Sequence, residues 1–254
     1  MILALDIGNT NITMGGFFDD EIKFVARIAT NASLTSDEYA EKFLNILLLY
    51  GVARNDISGA IISSVVPPLN TVMKRALKFS FGIEPIIVGP GIKTGINIHC
   101  DNPSSVGSDL ICACVAAHYC YGSPSIVIDM GTATKIMSVN KNGAFIGVSI
   151  VPGVLMGMKS LSSGTAQLPQ VDLEEPPSVI GKNTVDCMRS GVVFGNACLI
   201  DGMIERFNDE LCDTPKVLAT GGLAPKIIKH CKHDITIDND LVLKGLNILY
   251  NKNK

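Results

Sequence analysis

Two short stretches carry a carboxylate, a glycine and a cluster of small hydroxyl or amide side chains in the same order. The first is DIGNTNIT: Asp6, Ile7, Gly8, Asn9, Thr10, Asn11, Ile12 and Thr13. The second is DMGTAT, from Asp129 to Thr134. In the first, a strand-like run ends in a carboxylate and turns through Gly8. Glycine lets a backbone approach a phosphate closely. Successive N–H groups, with Asn9, Thr10, Asn11 and Thr13, can then cradle its oxygens. Asp6 suits Mg²⁺ held through water, because that ion keeps much of its hydration. In the second stretch, Thr132 and Thr134 offer hydroxyls for the other side of a triphosphate, and Asp129 offers a carboxylate for a cation. One such turn alone reads as an ordinary Gly-Asn hairpin. Two copies point to a nucleotide phosphate site. No GxxxxGK[ST] occurs, so the site is not a Walker A loop.

A third stretch, DNPSSVGSDL, sets Asp109 near the start of a helical run, where the helix dipole favours a carboxylate. Asp109 is a candidate general base for an acceptor hydroxyl, or simply a helix cap. Phosphoryl transfer needs little covalent help, so a positioned base and Mg²⁺ are sufficient equipment. A fourth stretch, ATGGLA from Ala219 to Ala224, enters a Gly-Gly turn. It either passes close to an adenine or ribose or is a tight strand-to-helix turn.

The elements that must position these residues alternate along the chain. ILALD, NITMGGFF and IKFVARIA read as three strands joined by short turns. A helix then opens at Ser36-Asp37 and stops at Gly51, with apolar residues three and four apart. AIISSVV reads as a central strand. PPLNTVMKRALKFSFG reads as a helix with prolines in its first turn and a terminal glycine. EPIIVG is a short strand, and 104–120 a helix. The pattern then restarts with SIVIDMG, ATKIMSVN and GAFIGVSIV, a long helix at about 184–209, a strand at KVLATGG and closing helices. ALDIGNTNITMG aligns with VIDMGTATKIMS, matching Asp6 to Asp129 and Gly8 to Gly131 at an offset of 123 residues. A duplicated α/β domain with a cleft between the halves follows. HYCYGSPS breaks the pattern, so the expected domains are 1–120 and 121–254.

Composition narrows the function. A net charge of −3 with scattered basic residues argues against a nucleic-acid partner. No apolar run reaches the roughly 18 residues of a membrane span, so no membrane partner is expected. The start, MILALDIGNT, lacks a secretory pattern. The eight cysteines form no CxxC pair and lie mostly in apolar stretches. They read as buried, reduced thiols of a cytoplasmic protein rather than a zinc site.

Together these residues resemble a known family. DIGNTNITMGGF, DNPSSVGSD, DMGTAT, VPGVLMGMKSLSSGTAQLP, IGKNT and ATGGLA occur in the order found in type III pantothenate kinases, over nearly the whole chain. The resemblance implies the actin-like ATPase superfamily, with two ribonuclease H-like domains. It implies a homodimer that phosphorylates pantothenate with Mg-ATP, the first step of coenzyme A biosynthesis, and that needs K⁺ or NH₄⁺. By position, Asp6 to Thr13 and Thr132 would bind ATP, and Asp109 would be the catalytic base. Asp129 would bind the monovalent cation. Gly107, Ser108 and Asp109 would line the pantothenate pocket, and Cys100 and Leu110 are counted with them as substrate-binding. Thr184 would reach a substrate across the dimer interface.

Three positions depart from the family's pattern. GSDL stands where the family reads GADR, so Leu110 replaces an arginine suited to a carboxylate. Cys100 stands where a tyrosine is usual, and TATK where the family has TATT. Lys135 then projects to solvent, replaces the monovalent cation with its own ammonium, or restores the charge lost at 110. The departures bear on the acceptor. Alternatives are a kinase for another small alcohol and a non-catalytic nucleotide-binding regulator.

Overall fold

The computed structural model describes residues 1–254. Strands β1 (Ile2–Ile7), β2 (Asn11–Phe18) and β3 (Glu21–Ala29) form an antiparallel meander. Helix α1 (Ser36–Leu49), strand β4 (Gly59–Ser64), helix α2 (Pro67–Phe81) and strand β5 (Ile86–Ile87) follow. Helix α3 (Ser108–Ala116) continues into a π-type turn at Ala117–Tyr121. The pattern repeats as β6 (Ser125–Met130), β7 (Ala133–Val139), β8 (Phe145–Pro152), α4 (Val154–Ser163), α5 (Thr184–Leu211), β9 (Lys216–Thr220), α6 (Ala224–Ile228) and β10 (Thr236–Ile237). Helix α7 (Leu241–Asn253) follows.

The two sheets have the same topology. The first runs β3-β2-β1-β4-β5 and the second β8-β7-β6-β9-β10. In each, the first two strands of the meander are antiparallel and the next strand adds in parallel beside the first. The buried central strands explain the unbroken apolar runs LALDI, AIIS and IVID, since a strand covered on both faces needs no polar alternation.

Local chemistry sets the element ends. Thr35 caps α1 in a reciprocal box with Glu38: the Thr35 N–H donates to the Glu38 carboxylate at 2.8 Å, and the Glu38 N–H donates back to Thr35 Oγ1 at 3.4 Å. Helix α1 then buries Tyr39, Phe43, Ile46 and Leu47 on one stripe. Pro67 and Pro68 open α2, and Gly82 ends it in the left-handed region at φ 72°.

Two compact units result: 1–96 with 101–116 and 240–254, and 97–100 with 117–239. This differs from a single cut after residue 120. Helix α7 follows the second sheet in sequence but packs in the first unit. Its glycine makes that packing possible. A Cβ on Gly245 would lie 1.9 Å from the Cys112 carbonyl oxygen of α3, so the two helices touch backbone to backbone. In the same unit Asn247 donates to the Asp19 carbonyl at 3.0 Å. The first core gathers Leu3, Leu5, Ile7, Ile12, Tyr39, Phe43, Ile62 and Leu77. The second gathers Ile126, Ile128, Ile136, Val193, Ile200 and Ile227.

The stretch VPGVLMGMKSLSSG ends β8 and forms α4, which buries Met158 and leaves Met156 exposed. The cysteines also differ from expectation. All eight are free thiols, but only Cys112 and Cys114 are buried, while Cys120, Cys187, Cys198 and Cys212 are exposed. No helix is long and apolar enough to cross a membrane.

Candidate active site

In the first unit the carboxylate of Asp6 emerges near the C-terminal end of β1. The chain then turns, with the Gly8 N–H donating to the Asn11 carbonyl at 3.0 Å. Thr30, just past β3, holds this turn twice. Its Oγ1 donates to the Gly8 carbonyl at 2.7 Å and its N–H to the Thr10 carbonyl at 2.9 Å. Asn9, Thr10 and Asn11 are exposed at the tip, and Thr13 is half-buried opposite Asp6. Ile7 and Ile12 belong to the core and are paired in the sheet on both sides, so the exposed tip of the turn is what remains for a phosphate.

Asp109 reaches the same neighbourhood by a different route. Strand β4 lies parallel to β1 and sets Ser63 opposite Asp6. Ser63 Oγ is 3.0 Å from Ser108 Oγ, and the Ser64 N–H donates to Ser108 Oγ at 3.0 Å. The buried Ser108 hydroxyl thus fastens the first turn of α3 to the end of β4, and Asp109 is the next residue. The deeply buried thiol of Cys112, one turn on, registers both carboxylates. Its pKa is raised by burial first, then by the negative charges of Asp6 and Asp109. The hard oxygen donor of Asp6, in a site of negative field, fits a hydrated Mg²⁺.

Gly107 leaves room for the Asp109 carboxylate in its present position. A Cβ there would lie 2.6 Å from Asp109 Oδ1. Leu110 is 7% exposed, so its side chain packs into the unit beside Asp109.

In the second unit the strand ends in Asp129 and turns through Gly131 and the exposed Thr132. Two glycines let the neighbouring backbone touch this turn. A Cβ on Gly153 would lie 2.1 Å from the Thr132 carbonyl oxygen, and one on Gly221, at φ 94°, 2.7 Å from Met130 backbone atoms. Gly221 therefore serves the tight strand-to-helix turn, the structural reading of ATGGLA. Thr134 does not offer its hydroxyl to a nucleotide. It is 1% exposed, and its Oγ1 is buried without a hydrogen-bonding partner. The pleat sends Thr134 to the core face and Lys135 to the face of Asp129. Lys135 is not a solvent-facing lysine: its Nζ contacts Asp129 Oδ2 at 3.0 Å.

The first unit thus assembles Asp6 to Thr13, Ser63 and Gly107 to Leu110. The second assembles Asp129 to Thr132 with Lys135. Cys100 lies in the second unit, half-buried, and Thr184 is the exposed first residue of α5, capped by Asn183. Thr30 and Ser63 are the positioning residues that motif reading missed. Each acts across the fold, and only the hydroxyl-rich SSVV offered a signal.

A family model for type III pantothenate kinase matches residues 2–206. The chain belongs to the type III pantothenate kinase family. It is 43% identical over 253 residues to a type III pantothenate kinase from a Geobacillus species, covering 100% of this chain and 98% of that one. It is 42% identical, with the same coverage, to the corresponding protein of Geobacillus kaustophilus. Solved structures share the fold at low identity. A Campylobacter jejuni protein named for the Baf family of transcriptional activators superposes with a TM-score of 0.62 at 18% identity, covering 98% of this chain and 97% of that one. The activator of 2-hydroxyisocaproyl-CoA dehydratase from Clostridium difficile, solved with ADPNP, gives 0.59 at 13%, covering 98% and 93%. Members of the pantothenate kinase family are kinases, and the duplicated α/β fold is shared with these solved structures.

Proposed function

We propose that this chain transfers the γ-phosphoryl group of Mg-ATP to pantothenate, giving 4'-phosphopantothenate, the first step of coenzyme A biosynthesis. The observation that carries this reading is the Ser63–Ser108 link, which brings Asp109 to the end of the strand pair that bears Asp6. Full-length similarity to type III pantothenate kinases supports the acceptor. The turn from Asp6 to Thr13 holds phosphate oxygens through its exposed tip at Asn9, Thr10 and Asn11, and Thr132 adds a nucleotide contact. Asp6 would hold Mg²⁺ through water, and the ion would supply neutralisation of phosphate charge. Asp109 accepts the proton of the acceptor hydroxyl as its oxygen bonds to the γ-phosphorus and the bond to ADP breaks. Gly107 and Ser108 set that carboxylate in place.

We assign a homodimer in which Thr184 reaches the partner's substrate. The exposed apolar pair Val179 and Ile180, beside the start of α5, supports a buried contact there. The compartment is the cytoplasm, where reduced thiols persist.

A coupled ADP-release assay with Mg-ATP and pantothenate tests the reading, with Asp109→Asn as control. Pantothenate-dependent turnover is expected, falling by about 10²–10⁴-fold in the variant. ATP binding with no pantothenate-dependent turnover would sink pantothenate as the acceptor. Size-exclusion chromatography with light scattering checks the dimer; a monomer at assay concentration would refute it.

A further inference from the structure

The duplicated turn is not electrostatically symmetric. Across the first sheet, Asp6 has Ser63 beside it on β4 and Thr13 beside it on β2, with Arg27 one strand further out on β3. Across the second, Asp129 has Thr220 on β9 and Lys135 on β7, with Ile150 beyond on β8. Each row holds a hydroxyl, a carboxylate and a basic residue. In the first row the base sits two strands from the carboxylate and is exposed. In the second it stands directly opposite.

Opposed residues on one face of an antiparallel pair meet without any choice of register. Lys135 Nζ accordingly lies 3.0 Å from Asp129 Oδ2, with side chains only 22% and 17% exposed. A lysine ammonium is a compact point charge with three N–H donors. It has the charge and donor character of NH₄⁺, tethered at contact distance. A tethered partner faces none of the entropy loss that a dissolved ion meets on binding. The carboxylate oxygen that a free monovalent cation would take from solution is therefore already held. A free K⁺ at Asp129 would stand beside that ammonium and be repelled by it, so the pair does not fit the ion.

We propose that Lys135 is a built-in counter-ion that replaces the monovalent cation of the family at Asp129, so that this kinase turns over without K⁺ or NH₄⁺. The inference rests on the kinase reading above. It makes Lys135 a positioning residue for the second phosphate turn, and it deepens that reading by removing one cofactor.

The test compares wild type, Lys135→Thr and Lys135→Arg in choline chloride and in KCl at equal ionic strength. Threonine is the residue found at the matching cross-strand place in the first sheet, and it suits a strand. Wild type and Lys135→Arg are expected to keep kcat/KM for ATP within twofold between the two salts. Lys135→Thr is expected to lose at least tenfold in choline and to recover with saturable dependence on K⁺ or NH₄⁺. Thermal unfolding gives a second readout. Only Lys135→Thr should show a Tm rise specific to K⁺ over choline. A wild type that needs K⁺, or a Lys135→Thr that is equally active in both salts, overturns the proposal. If no variant turns over pantothenate in any salt, the acceptor reading has failed and the thermal readout still decides. A K⁺-specific Tm rise in wild type then refutes the built-in counter-ion, and its appearance only in Lys135→Thr supports it.

Discussion

Replacing Gly107 with alanine should disable the enzyme while leaving it folded. The new Cβ would lie 2.6 Å from Asp109 Oδ1, about 0.8 Å inside ordinary van der Waals contact. The backbone has little freedom to yield. Ser108 is tied to Ser63 and Ser64, and the Ile111 N–H donates to the Gly107 carbonyl at 3.2 Å. The carboxylate therefore rotates away. A misplacement near 1 Å costs about 10²-fold in rate, so kcat should fall roughly 30- to 100-fold, or about 2–2.7 kcal/mol of barrier. Stability should not follow. Alanine restricts the unfolded chain, which contributes about 0.4–1 kcal/mol where the backbone is compatible. Steady-state kcat and KM for pantothenate, with Tm from scanning fluorimetry on the same sample, separate the two effects. A kcat within twofold of wild type would refute the argument that Asp109 must hold this rotamer. A Tm fall of more than about 5 °C would show that the backbone moved instead, since that shift corresponds to more than about 1 kcal/mol.

Further outcomes are expected elsewhere. Gly245→Ala should drive α3 and α7 apart, because its Cβ meets the Cys112 carbonyl at 1.9 Å; urea unfolding should show a loss of about 1–3 kcal/mol, and a loss under 0.5 kcal/mol would contradict the packing. Thr35→Ala should cost about 1 kcal/mol by removing the α1 cap. The Thr35 hydrogen bonds hold the Glu38 carboxyl below its usual pKa, so its contribution is present above about pH 4.5 and is lost as pH falls through the lower folded value; the variant should show a shallower acid slope in Tm. Tyr121 Oη donates to Asp238 at 2.7 Å, and burial first, then this bond, push the phenol up to about 12. Stability tied to Tyr121 is full below pH 10 and is lost as pH rises toward 12. Tyr121→Phe should remove that alkaline slope at a cost of about 1 kcal/mol at neutral pH, and an unchanged slope would assign it to another group.

Local signals announced the first meander, α1 and α2, because caps and periodicity act within a few residues. The repeated Asp-x-Gly turn announced the duplication and its matched sheets. What stayed hidden was long-range. Ser108 gives no hint that its hydroxyl meets Ser63, 45 residues earlier. Thr30 looks like a strand end until its hydroxyl is seen on Gly8. Thr134 was legible in principle, since period-two alternation in ATKIMSV puts Thr134 with Ile136 and Lys135 with Met137. Membership of the family does not overrule that pleat. The affiliation of α7 was not legible, because nothing in LVLKGLNILY names the surface that Gly245 approaches.

That affiliation has a consequence for biogenesis. The first unit leaves the ribosome with its sheet and α3 complete but without the helix that covers them. About 125 residues separate α3 from α7, which at typical translation speeds of 5–20 residues per second is a wait of roughly 6–25 s. Over that interval the face of α3 at Cys112 and the strand positions near Gly15 and Gly59, which Leu243 and Tyr250 later contact, stand bare to chaperones and to neighbouring chains. Helix α7 is thus the element that commits the first unit to its folded form, and folding of that unit in the cell waits for its synthesis.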